Sequence, residues 1–156
     1  MRARLGAVLA CALLVGPEPA DDAVKAEKDR LKGTWVVESF DDGEEPVGKV
    51  KGATLRFDDD KVFMTIPGEK EQAGTYGVEP FKKPKHIDLT SAPPGEEKMT
   101  TRGVYELDGD TLKIRFGAVG IAIDGSGKKT VTPSVRPKSL DAKEGVLMVL
   151  KREKKK

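Results

Sequence analysis

From Gly33 onward the chain alternates apolar and polar residues with a period of two, the pattern of strands buried on one face. It predicts strands at Trp35 to Phe40, Ala53 to Phe57, Val62 to Ile66, Gly74 to Val78, Ile87 to Thr90, Thr101 to Leu107, Thr111 to Phe116 and Gly145 to Lys151. Turn residues separate them. Asp58-Asp59-Asp60 and Asp108-Gly109-Asp110 mark tight hairpins, Pro67-Gly68 ends the third strand, and Pro84 precedes the fifth. Consecutive strands with short connections pair antiparallel. Ahead of them, residues 21–32 carry Val24 and Leu31 in a run of Ala, Lys, Glu and Arg, which predicts a short helix. The expected fold is all-β: an eight-stranded antiparallel up-and-down barrel with a short N-terminal helix, filling residues 33–153 after the helix.

One connection breaks the rhythm. Residues 117–142 form a 26-residue stretch rich in Gly at its start, with Pro133 and Pro137 later. Connections of this length are either lids or unstructured insertions. As a lid, Ile121 and Ile123 cover one mouth of the barrel and Val131 to Val135 adds an edge strand; as an insertion, none of this holds.

Alternation also nominates an interior. With Trp35 inward, Val37, Leu55, Phe57, Met64, Tyr105, Leu112, Phe116, Met148 and Leu150 become its companions, provided no strand slips by one residue. Leu55, Phe57, Met64, Tyr105, Leu112, Phe116 and Met148 are the candidate ligand-binding lining, suited to an apolar or amphipathic small molecule. The alternative is that these side chains fill the barrel and leave no cavity.

Composition narrows the setting. At 156 residues, 37% apolar and 35% charged with a net charge of +2, the chain is one domain with interspersed charges. Arg2 and Arg4 precede an apolar run from Leu5 to Gly16, broken by Pro17 and Pro19. Residues 1–20 therefore read as a secretory signal peptide, too short to span a bilayer. The expectation is an exported protein of the periplasm, envelope or medium, with no transmembrane helix in the mature chain. Cys11 is the sole cysteine. It lies in a faint lipobox, so lipid anchoring is the alternative to its removal. Once it is removed, disulfides and thiolate chemistry are excluded. Residues 154–156 form a short basic tail that reads as a soluble terminus.

Chemistry is sparse. His86 and Asp88 share a strand face, and with Tyr76 they are the only catalytic candidates, but no nucleophile elbow or second histidine accompanies them. A surface pair is the plainer account. Asp58-Asp59-Asp60 lacks calcium-loop spacing and serves a turn. The glycines between 117 and 127 lack a phosphate-loop ending, and no basic patch interleaved with aromatics suggests nucleic acid. No metal and no cofactor are expected, and the oligomeric state is left open.

The ordered motifs Leu31-Lys32-Gly33-Thr34-Trp35, Gly74-Thr75-Tyr76, Lys83 to Thr90, Gly103 to Ile114, Arg136-Pro137 and Leu150-Lys151-Arg152 carry a family resemblance. Over about Asp29 to Glu153 the chain resembles a lipocalin-like domain family abundant in exported planctomycete proteins. It lacks the cysteine near Arg115 and the aromatic residue near Leu140 that such domains often have. The resemblance implies a calycin-type barrel whose floor is formed by Gly33, Trp35 and Arg152, the guanidinium stacking across the only tryptophan. It implies no activity. The expected function is non-enzymatic binding of a small hydrophobic or amphipathic molecule in the barrel; the alternative is an envelope structural or protein-interaction module with a filled core.

Overall fold

The computed structural model describes residues 19–41, 50–92 and 97–154. Helix α1 (Pro19–Leu31) leads into β1 (Gly33–Asp41), β2 (Thr54–Asp58), β3 (Lys61–Thr65), β4 (Gln72–Glu79) and β5 (Lys85–Ser91). There follow β6 (Met99–Asp108), β7 (Thr111–Phe116), β8 (Gly120–Ile123), β9 (Lys129–Thr132) and β10 (Val146–Arg152). Eight strands close into an antiparallel barrel in the order β1-β10-β7-β6-β5-β4-β3-β2, and β8 and β9 form a separate two-stranded sheet. Among the described residues, the fold is therefore an all-β barrel with one short helix.

The helix begins at Pro19, slightly ahead of the sequence expectation. Asp21 and Asp22 lie in its first turn and Lys28 and Arg30 in its last, each sign complementing the helix dipole. The rest of the expected signal peptide, including Cys11, lies outside the described residues, as do residues 155–156 of the basic tail.

Register explains the core. Trp35 pairs with Leu55 and Leu55 with Met64, while Gly33 pairs with Phe57 and Phe57 with Val62. Leu150 faces Val37 and Leu112, Met148 faces Ile114, and Ile114 faces Tyr105. Directly opposed residues share a sheet face, so these all point inward, and apart from partly buried Gly33 and Met64 they are almost fully buried. A bulge between Val37 and Ser39 shifts the register by one. Simple alternation would turn Ser39 inward; the bulge instead sets partly buried Phe40 opposite Met148.

The long connection is not an unstructured insertion, and it adds no edge strand to the barrel. It is structured, and the Ile121 side chain lies outside what the structure describes. Ile123 is 70% exposed and covers nothing, and β9 pairs with β8 alone, so Val131 to Val135 adds no edge to the barrel. The Asp124 carboxylate turns the hairpin by accepting hydrogen bonds from the Ser126 and Lys128 amides at 2.9 and 3.0 Å. Beyond it, residues 133–144 strap the outer face of β5, β6 and β7. The buried Ser134 hydroxyl donates to the Gly117 carbonyl at 3.0 Å, and Arg136 Nη1 donates to the Gly103 carbonyl at 2.6 Å. Arg115 Nε donates to the Leu140 carbonyl at 2.6 Å. The strap thus buries Arg115 although it points away from the core.

Candidate functional site

The two ends of the barrel differ. At one end lie α1, the β2–β3 and β6–β7 hairpins and the close of β10; at the other lie the ends of β1, β3, β5 and β7 and the starts of β2, β4, β6 and β10.

The helix end is shut. Trp35 is fully buried, and its indole Nε1 donates to the Leu31 carbonyl at 2.8 Å. The Arg152 guanidinium lies 4.2 Å from the centre of the Trp35 ring and donates to the Lys32 and Arg30 carbonyls at 2.9 and 2.6 Å. Gly33 runs beneath it with φ of +121°, and a Cβ there would come within 3.3 Å of Arg152 Nη1. Glycine meets both demands.

Beside this floor sits a carboxylate that the sequence reading did not single out. Glu27 is 5% exposed. Its Oε1 accepts from Lys85 Nζ at 2.7 Å and from the Tyr105 hydroxyl at 3.1 Å, and its Oε2 from Arg30 at 2.8 Å. Burial alone would raise its pKa, but Lys85, Tyr105 and Arg30 together outweigh burial and hold it below the ordinary value. Burial and the Glu27 charge push the Tyr105 hydroxyl well up. This is a satisfied structural network rather than a poised acid or base. Two signals pointed to it: Glu27 shares the helix face of Val24 and Leu31, and Lys85 is in phase with inward Ile87. Nearby, Lys28 pairs with Asp60 and Lys32 with Asp59 at 2.8 Å, so the aspartate triplet moors the helix to the hairpin.

The candidate catalytic residues are not brought together. Tyr76 points inward, packed edge-on against Phe57 with ring centres 4.8 Å apart, and burial pushes its hydroxyl pKa up to about 12. His86 and Asp88 point outward. His86 Nδ1 lies 2.9 Å from Glu79 Oε2, and Asp88 is paired with Arg136 at 2.7 Å. The barrel wall separates the tyrosine from the other two.

The opposite end is hollow among the described residues. A cavity of about 240 Å³ lies inside the mouth, lined by Leu55, Val62, Met64, Leu89, Met99 and Thr101, with Gln72, Ala73, Gly74, Thr90 and Ser91 completing it. Of the candidate lining residues, Leu55 and Met64 reach this cavity. Phe57, Tyr105, Leu112, Phe116 and Met148 do not line it; they belong to the packed core below and beside it. Leu89, Met99 and Thr101 had not been singled out, although Leu89 and Thr101 are in phase with buried Ile87 and Tyr105. A larger hollow of about 500 Å³ beside Gly33 lies at the charged outer edge of the floor.

No family model, curated protein or solved structure matches this chain. The site must be interpreted from its own chemistry.

Proposed function

We propose that this chain is an exported, lipocalin-like, non-enzymatic carrier that binds a small apolar or amphipathic molecule inside the barrel mouth. The observation that carries this is the mouth cavity of about 240 Å³, walled by Leu55, Val62, Met64, Leu89 and Met99, at the end opposite the plugged floor. Concave, mostly apolar space with a few polar groups at its rim is the usual form of a small-molecule site. The lipocalin-like kinship rests on the ordered motifs, with Trp35 and Arg152 stacked at 4.2 Å as such a floor requires. Export rests on the basic and apolar segment before Pro17; among the described residues no helix is long and apolar enough to cross a membrane.

A second reading, an envelope structural or interaction module with a filled barrel, draws on two observations. The core is densely filled from Trp35 to Ile114, and Ile123 and Val135 stand 70% and 77% exposed on the hairpin and strap. Native mass spectrometry of protein purified from the producing cell's envelope, followed by organic extraction, separates the two. A stoichiometric small molecule supports the carrier; bare protein supports the filled module.

A further inference from the structure

Among the described residues, the walls of the mouth cavity contain no charged side chain, in a chain where 35% of residues are charged. Among the described strand residues, the inward-pointing charges Lys85 and Arg152 belong to the opposite end. There Lys85 is held by Glu27 at 2.7 Å, and Arg152 by the Arg30 and Lys32 carbonyls. An ionised group entering the cavity therefore meets no counter-charge on its described walls, and burying it unpaired costs more than apolar contact returns. Polar groups are nonetheless present: the Gln72 amide and the Ser91 and Thr101 hydroxyls line the same cavity. Amides and hydroxyls both donate and accept, so they match a hydroxyl, carbonyl or amide equally well.

Size sets a second limit. About 240 Å³ lies between the roughly 150 Å³ cavity that holds benzene and the roughly 300 Å³ at which drug-sized pockets begin. Met64 and Met99, flexible and polarizable, provide adaptable walls within that limit.

We infer that the mouth selects compact, uncharged apolar molecules bearing one hydroxyl, carbonyl or amide group, and rejects carboxylates and ammonium ions of the same shape. This rests on the cavity being the ligand site. The test is a calorimetric titration of the chain near neutral pH with the shape-matched set benzyl alcohol, benzoate and benzylammonium. Benzyl alcohol is expected to saturate one site, with each ion weaker by about tenfold or more. Equal binding of either ion overturns the selectivity and leaves the carrier reading standing. No saturable binding of any of the three overturns the selectivity; only bare protein in the native mass spectra would overturn the carrier reading as well.

A rim variant tests the cause. Gln72 is exposed, so Gln72→Lys adds an ammonium at the mouth without disturbing the core. It is expected to bring benzoate to within about threefold of benzyl alcohol. Continued rejection of benzoate by this variant would contradict the missing counter-charge as the source of selectivity.

Discussion

Trp35 and Arg152 jointly hold the end of helix α1. The guanidinium lies 4.2 Å from the centre of the indole ring, and between them the two side chains satisfy the carbonyls of Arg30, Leu31 and Lys32. The last carbonyls of a helix have no partner within it, so the barrel floor supplies the cap. Trp35→Ala removes a fully buried indole and one of those bonds, and is expected to destabilise by about 3–5 kcal/mol. A loss under about 1 kcal/mol in denaturant titration would count against the plug.

Arg152→Lys is not conservative here. A lysine ammonium lacks the planar fork that reaches two carbonyls while stacking on the ring. The expected loss is about 1–2 kcal/mol, with faster amide exchange in the last turn of α1 and little change in β5 to β7. Unchanged exchange in that turn would contradict the capping role.

Glu27 predicts an acid-sensitive floor. Its folded pKa is depressed below the ordinary 4.5, so its contribution is fully present above that value and is lost as pH falls through the lower folded value. Glu27→Gln should cost about 1–3 kcal/mol near neutral pH and flatten the decline in stability below pH 4.5. Thermal melts of both forms across the acid range read this directly. Parallel declines in the two proteins would exclude Glu27 as the titrating group.

Arg136→Ala tests the strap. The guanidinium ties residues 133–144 to the barrel through the Gly103 carbonyl and the Asp88 carboxylate. Without it, amides around Ser134 to Leu140 should exchange faster while the β5–β6 ladder keeps its protection. Equal protection in both proteins would mean that Ser134 and the Arg115–Leu140 bond suffice alone.

The barrel was legible because its strands alternate cleanly and their turns are short. Val37, Leu55, Phe57, Leu112, Met148 and Leu150 fall inward with Trp35, in phase with the two-residue period. The cavity was less legible for a physical reason: alternation says which face a residue takes, not how far along the barrel it lies. Phe116 and Leu89 both point inward, yet only Leu89 lines the open volume. The strap escaped detection because Ser134, Arg136 and Arg115 act through backbone carbonyls, whose positions leave no mark on side-chain periodicity. Glu27 was overlooked because a carboxylate on an apolar helix face makes sense only once Lys85 and Tyr105 are placed beside it.

The methionines provide the most direct test of a ligand cavity in the mouth. Met64 and Met99 line it, whereas Met148 is buried in the packed core and does not. Titrating chain labelled with ¹³C at the methionine methyls with benzyl alcohol should shift the Met64 and Met99 resonances saturably and leave Met148 in place. No saturable shift at Met64 and Met99, or an equal shift at Met148, would contradict the assignment of the mouth as the binding site.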